Sequence, residues 1–128
     1  MLRVEVHAVP QTVTPTVTLR CSGKLVLGWA TETLRYMAKS RTEACLILDL
    51  SSVQTLDAAG LGLLVELHCW ARHGNKVLTV MNPSARVRKL FWLTNLQSVF
   101  EIAHSPEAEL ADAAGEAKSR FVRGEMTA

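Results

Sequence analysis

The feature that most constrains the fold is the run over residues 44–50, which reads Ala-Cys-Leu-Ile-Leu-Asp-Leu. Both of its alternating faces are apolar until Asp49, so neither face is suited to contact with water. Such a pattern is typical of a central strand covered on both sides, or of a strand shielded by helices. The run therefore predicts the middle strand of a sheet that packs against helices.

Two segments before this run alternate between apolar and polar residues. Residues 2–9 and residues 16–21 place apolar side chains at every second position, which is the period of a half-buried strand. We expect a turn at Ser22-Gly23-Lys24, after the second strand. Apolar residues then recur at helical spacing over 28–40, so the sequence predicts a first amphipathic helix that covers one face of the sheet.

The segment after the central run begins with polar residues and continues as a long apolar stretch. We expect a loop over 51–56 and then a helix capped by Asp57, because aspartate accepts hydrogen bonds from the free N–H groups of a first helical turn. Gly74 is suited to end this helix. Gly60 and Gly62 would allow the start of the helix to approach the sheet closely.

The last elements complete the sheet. Residues 77–81 predict a strand, Asn82-Pro83-Ser84 opens a third helix, and a short strand is expected near 99–102. Strands that alternate with helices after an initial strand pair predict an α/β fold, in which a mixed β-sheet is packed with helices.

The length of 128 residues fits one domain, which we place at residues 1–104. The Ser-Pro-Glu sequence at 105–107 is typical of a helix start. We therefore predict that residues 105–128 form a C-terminal helix docking on the domain, with a frayed tail from about Arg123.

Charge and cysteine content argue against several classes of protein. Residues 105–128 hold five acids and three bases, which leaves a net charge of +4 on residues 1–104, and this charge is too small to indicate binding to nucleic acid.

Cys21, Cys45 and Cys69 form no Cys-x-x-Cys pair, so we expect small buried hydrophobic residues in a reducing compartment. The sequence contains no recognisable secretion signal or stretch long enough for direct membrane insertion, and we expect a cytoplasmic protein.

Residue types that can act in catalysis or bind metals do not occur here in a recognisable motif. The four histidines lack His-x-x-x-His spacing, and no cysteine is paired with a nearby histidine and aspartate. Asp49 ends a strand as the phosphoacceptor of a response-regulator receiver would, but residues 2–10 lack the acidic pair that would hold magnesium. We therefore expect a protein that is not an enzyme and that uses no metal or cofactor.

Four segments together resemble one known family. Residues 46–64 read LILDLSSVQTLDAAGLGLL, which resembles the signature of STAS domains, the family of bacterial anti-sigma factor antagonists and of sulfate-transporter cytoplasmic tails. Residues 23–25 resemble the family's early Gly-x-Leu turn, residues 73–78 its Arg-x-Gly-Gly-x-Leu step, and residues 83–96 its Asn-Pro-Ser helix. The resemblance covers about residues 10–104 and implies the STAS fold.

The resemblance also implies a function in bacterial transcription regulation. Family members bind an anti-sigma factor, a serine kinase of the ATP-binding type, and thereby release a sigma factor. Phosphorylation of a serine in the family's Asp-Ser-Ser-Gly loop ends that binding. Here Ala58 and Ala59 occupy both serine positions, so the usual phosphoacceptor is lost and the usual off-switch is absent. The module would bind constitutively or respond to another input, unless the two alanines only keep the helix start compact.

The predicted partner-binding surface lies around the start of the second long helix. Its residues are Asp57, Ala58, Ala59, Gly60, Leu61, Ser52, Thr55 and Trp70. Ser51, Ser52 or Thr55 could accept phosphate in place of the missing serines. Trp70 is either covered by the last helix or exposed as an anchor for a partner.

Two further alternatives stay open at this point. Arg86, Arg88, Lys89 and Trp92 fall on the outward half of the third helix, where they could meet an acidic partner or form a solvated basic face. The alternative function is a STAS scaffold subunit of a larger signalling particle or of a lipid or anion transport ATPase complex. Such a scaffold could self-associate.

Overall fold

The structure is a computed structural model, and it describes residues 2–9 and 14–104. Within these residues an antiparallel strand pair is followed by strands that alternate with helices. The elements are β1 (Leu2–Val9), β2 (Thr16–Leu25), α1 (Trp29–Lys39), β3 (Cys45–Leu56), α2 (Ala58–His73), β4 (Val77–Met81), α3 (Ala85–Thr94), a 3₁₀ turn (Leu96–Ser98) and β5 (Glu101–Ala103).

The strands form one mixed sheet in the order β1-β2-β3-β4-β5. β1 pairs with β2 antiparallel, and every later neighbour pair is parallel. Parallel neighbours require a crossover, and α1, α2 and α3 supply these connections. The prediction of an α/β fold with a mixed sheet is confirmed.

The central run of the sequence forms the first part of β3, in the middle of the sheet. Leu46, Leu48 and Leu50 have no exposed surface, whereas Ile47 on the opposite face is half-buried. The helices contribute buried side chains to the same core, among them Leu34 of α1 and Leu64, Leu67 and Phe91 of α2 and α3. The face of β3 that carries Leu46, Leu48 and Leu50 therefore lies against the helices, and the face that carries Ile47 is called the second face.

The loop expected over 51–56 is wrong, because β3 continues to Leu56. The ladder with β4 stops at Asp49, but pairing with β2 goes on as far as Leu25. Val53 and Leu56 face the core and are almost fully buried, which explains why a segment rich in polar residues stays in the sheet.

The turn expected at 22–24 is also wrong. β2 runs to Leu25, and its register with β3 shifts between Arg20 and Ser22 and again between Gly23 and Lys24. Such irregularities bend a strand without ending it. β2 and β3 therefore extend together beyond the end of β4, and β3 ends just before the start of α2.

The prediction of three buried cysteines holds for Cys21 only. Burial raises the pKa of the Cys21 thiol to about 12, and the charge of Asp49 adds to this effect. Cys45 is half-buried on the second face of β3, and Cys69 is exposed on α2. Apolar neighbours in the sequence could not reveal that Cys69 lies on the outward side of its helix.

Candidate partner-binding surface

Asp57 organises the start of α2, as the sequence predicted. Its Oδ1 accepts a hydrogen bond from the Gly60 N–H at 2.8 Å, which caps the helix. Its Oδ2 accepts a second hydrogen bond from the Leu27 N–H at 3.0 Å. One carboxylate thus joins the start of α2 to the segment between β2 and α1. These hydrogen bonds, first that of Leu27 and then that of Gly60, lower the pKa of Asp57.

Gly60 allows this helix start to lie directly against the end of β2. A Cβ atom at this position would stand 2.3 Å from the carbonyl oxygen of Leu25 and 2.6 Å from Cδ1 of Leu56. No side chain fits there, so the predicted close approach is confirmed for Gly60. It is wrong for Gly62, which is exposed and would have nothing within 4 Å of a Cβ atom.

Ala58 and Ala59, the predicted equivalents of the phosphoacceptor positions, differ in exposure. Ala58 is exposed on the first turn of α2, and Ala59 is half-buried. Leu61, also half-buried, packs against the core and leaves part of its side chain at the surface. The first turn of α2 therefore presents methyl and isobutyl groups beside the Asp57 carboxylate, and neither alanine has a hydroxyl group.

Two exposed apolar residues beside this turn were not predicted from the sequence. Leu27 is 77% exposed and Trp29 is 89% exposed, and they flank Gly28, whose φ of 114° is rarely open to other residues. The Leu27 N–H bond to Asp57 holds this segment next to the start of α2. No local pattern marks the two residues, because residues 25–29 read as an apolar stretch that could equally be buried.

A groove of about 310 Å³ opens beside these two residues. Its walls are mostly apolar and include Leu2, Val26, Trp29 and Ala30, while Lys24 contributes a positive charge. We call Leu27, Trp29, Asp57, Ala58 and Leu61 the α2-start surface. This surface can hold an apolar group of a partner next to one fixed carboxylate.

The hydroxyl residues of β3 stand in different environments. Ser51 donates its hydroxyl hydrogen to Oδ1 of Asp49 at 2.7 Å, and its N–H donates to the same oxygen at 3.0 Å. Asp49 is buried and also lies 3.5 Å from the Arg20 guanidinium. The Ser51 hydroxyl is thus committed to a buried carboxylate, which would repel a phosphate. Ser52 is exposed and Thr55 is half-buried.

Ser52 and Thr55 line a second, open groove of about 680 Å³. Its other side is the start of α3, where Ser84 caps the helix and donates its hydroxyl hydrogen to the Val53 carbonyl at 2.9 Å. Arg86 of the first turn of α3 also lines this groove. The prediction that Ser52 and Thr55 belong to the partner-binding surface stays a prediction.

Trp70 lies far from the other predicted residues. It is twelve positions beyond Ala58 on the same helix, and a rise of about 1.5 Å per residue places it about 18 Å away along the axis. It is half-buried, and the Lys76 ammonium lies 5.7 Å from the centre of its ring. The predicted cover of Trp70 by the last helix falls on residues 105–128, outside the described part of the chain.

Residues 2–9 and 14–104 show neither a metal-binding cluster nor a membrane-spanning helix. Across these ranges no three His, Cys, Asp or Glu side chains cluster closely enough to form a metal site. The helices of the same ranges are too short or too polar to cross a bilayer.

Comparison with known proteins identifies the family. A model of the STAS domain matches residues 7–110. The chain belongs to the STAS domain family. This STAS domain resembles the structure of the anti-sigma factor antagonist SpoIIAA in its unphosphorylated form, with 21% sequence identity and a TM-score of 0.64, over 88% of this chain and 97% of SpoIIAA.

Two further structures carry the same fold as this STAS domain. The Bacillus cell fate determinant SpoIIAA in its phosphorylated form matches with 21% identity and a TM-score of 0.61, over 86% of this chain and 99% of the other. An anti-sigma factor antagonist from Mycobacterium paratuberculosis matches with 19% identity and a TM-score of 0.62, over 87% and 93%. The mixed five-stranded sheet with three helices is the STAS fold.

Proposed function

We propose that this STAS domain is an anti-sigma factor antagonist, a binding module without catalytic activity that acts in the cytoplasm. It binds an anti-sigma factor through the α2-start surface and so releases a sigma factor for transcription. Family membership and the fold shared with SpoIIAA support this role. The observation that supports this position of the binding surface is the exposed first turn of α2. Asp57 joins this turn by hydrogen bonds to the exposed segment at Leu27.

The partner in this proposal is a serine kinase of the ATP-binding type. A phosphate group on a serine adds about −1.5 to −2 charge, and one placed at position 58 would stand beside the ionised Asp57 carboxylate. Ala58 and Ala59 cannot accept phosphate. The domain therefore stays in the binding-competent state when the kinase has ATP.

Leu27 and Trp29 supply the binding energy in this proposal. Large apolar side chains that become buried on association dominate the energy of many interfaces, and tryptophan is enriched among such residues. Trp29 stands at the first position of α1, so its backbone is already fixed before a partner covers the side chain. The neighbouring groove gives the partner a place for an apolar side chain of its own.

The test is a pull-down with the full chain from its native cells, with and without ATP, followed by mass spectrometry. We expect a soluble serine kinase whose binding survives ATP. Trp29→Ala should weaken this binding by about 30-fold or more, the effect of losing a strong interface residue. The matched control Trp92→Ala removes an exposed tryptophan of α3 and should leave the binding unchanged.

Two results would contradict the proposal. If ATP releases the kinase from the unmodified protein, the domain is not locked in one state. If the pull-down yields a transport ATPase or a multi-subunit particle and no kinase, the scaffold function replaces the antagonist function.

A second experiment asks whether only the hydroxyl group was lost. The recovered kinase is incubated with radiolabelled ATP and with Ala58→Ser, Ala59→Ser or the unmodified chain. We expect phosphate on at least one serine variant, because the first turn of α2 is accessible, and none on the unmodified chain. Label on Ser52 or Thr55 of the unmodified chain would identify a different phosphoacceptor and contradict the locked state.

A further inference from the structure

Helix α3 carries a second exposed surface, made of residues that the proposed function does not use. Its inner side is anchored by Val87 and Phe91, which are buried in the core. Its outer side exposes two neighbouring apolar side chains, Trp92 at 71% and Leu93 at 70%. These exposed fractions are high for side chains of this size. The two side chains together form an apolar projection from the domain.

The same side of α3 is strongly basic. Arg86, Arg88 and Lys89 are all exposed, and residues 82–100 contain no aspartate or glutamate. At about 100° per residue, Lys89 and Trp92 point away from the buried side of the helix, and the other cations flank them. We call Arg86, Arg88, Lys89, Trp92 and Leu93 the basic α3 face. It combines three positive charges with two large apolar groups.

We propose that the basic α3 face binds the surface of an anionic membrane. Lysine and arginine near anionic lipids are attracted to their headgroups, and tryptophan is enriched at the level of those headgroups. Leucine beside tryptophan can enter the boundary of the acyl region, as in helices that lie in the membrane interface. The positive charge of the face complements the negative charge of such a surface.

The shape of the face is compatible with a membrane surface. The outer side of a helix is convex, and a bilayer interface accommodates a convex apolar projection without a preformed pocket. With Val87 and Phe91 fixed in the core, α3 would lie parallel to the bilayer, and Trp92 and Leu93 would point into it.

Binding of this kind is weak and depends on lipid charge and salt. One short helix face with two apolar side chains gives reversible adsorption, and salt screens the attraction of the three cations. This adsorption does not depend on the proposed function.

The test is co-sedimentation of the full chain with vesicles of equal parts phosphatidylglycerol and phosphatidylcholine, compared with vesicles of phosphatidylcholine alone. We expect binding to the anionic vesicles that falls as salt rises. Lys89→Gln should lower the partition coefficient about fivefold, as the loss of one cation near the surface does. Trp92→Ala should lower it further, and the control Trp29→Ala should not change it.

Several outcomes would overturn the proposal. Equal binding to neutral vesicles, or no binding to anionic vesicles, excludes an anionic membrane as the ligand. Full binding by Trp92→Ala and Lys89→Gln places the contact elsewhere on the chain. Binding of the face to polyglutamate but not to vesicles would identify an acidic protein as the partner. Circular dichroism of each variant confirms that its fold is intact.

Discussion

At Gly60 the backbone of α2 lies against the backbone of β2, and one hydrogen atom is all that the position accommodates. The Leu25 carbonyl oxygen would be 2.3 Å from an added Cβ atom, and backbone cannot move aside as a flexible side chain can. Gly62, two residues later on the same helix, meets open space. Gly60 is therefore required by a close contact, whereas Gly62 is not. The same substitution to alanine at both positions should have opposite effects on stability.

Gly60→Ala should lower the free energy of unfolding by about 1–3 kcal/mol, the usual cost of overpacking. Gly62→Ala should raise it by up to about 1 kcal/mol, because alanine is the better helix former at an exposed helical position. Urea denaturation of both variants measures the two changes. Equal effects would show that the close contact at Gly60 relaxes without cost.

Asp57 makes the stability of the domain depend on pH in a defined direction. Its pKa is lower in the folded state, because two backbone N–H groups donate to the ionised carboxylate. The stabilisation is therefore complete above the unfolded-state pKa of about 3.9 and is lost as the pH falls through the lower folded value.

Asp57→Asn tests this dependence, since asparagine is also a good N-cap but carries no charge. We expect the unmodified chain to be more stable than the variant at neutral pH, and the difference to shrink below about pH 4. Thermal melting of both proteins between neutral and acidic pH measures it. A difference that is constant with pH would show that the charge of Asp57 is irrelevant.

At the scale of elements, charged side chains join α1 to α2 on the outer side of the helical layer. Glu66 of α2 accepts hydrogen bonds from Arg35 Nε at 2.9 Å and lies 2.7 Å from Lys39 Nζ. The pKa of Glu66 is lowered, first by the Arg35 hydrogen bond and then by that of Lys39. All three side chains are about one-third exposed, so solvent screens much of this attraction.

Glu66→Gln should lower the melting temperature by about 2–4 °C in low salt, the effect of losing a partly exposed ion pair. The loss should nearly vanish in high salt, because ions screen the pair in the unmodified chain as well. Melting of both proteins at two salt concentrations checks this. A loss that is independent of salt would assign the effect to packing of the side chain.

At the scale of the whole molecule, one core connects the sheet with all three helices. Leu48 of the central strand is fully buried, and Phe91 of α3 packs against Phe100 with ring centres 5.1 Å apart. Because no separate core exists among the described residues, the domain should unfold in one cooperative transition.

Leu48→Ala should lower the free energy of unfolding by about 2–5 kcal/mol, and Phe91→Ala by about 3–5 kcal/mol. The control Leu93→Ala removes an exposed side chain and should change it by at most about 0.5 kcal/mol. Fluorescence and circular dichroism should give the same midpoint for each variant. Separate midpoints would show that α3 unfolds independently of the sheet.

The sequence by itself determined the elements whose signals are local. Residues 44–50 read as a central strand because both of their alternating faces are apolar until Asp49. Asp57 read as a cap because aspartate accepts hydrogen bonds from a first helical turn. The family signature in the same region predicted the STAS fold. The strand and cap signals each depend on residues only a few positions apart, and the family resemblance combines several such short motifs, so all of them are visible without the tertiary structure.

The tertiary structure alone decided how far the strands extend and which apolar residues stay outside. Residues 51–56 remain in β3 because β2 is there to pair with them and the core covers Val53. Leu27 stays exposed and meets Asp57, thirty positions later in the chain, through one hydrogen bond. Contacts at such separations depend on how the helices pack on the sheet, and no local spacing of residues encodes them.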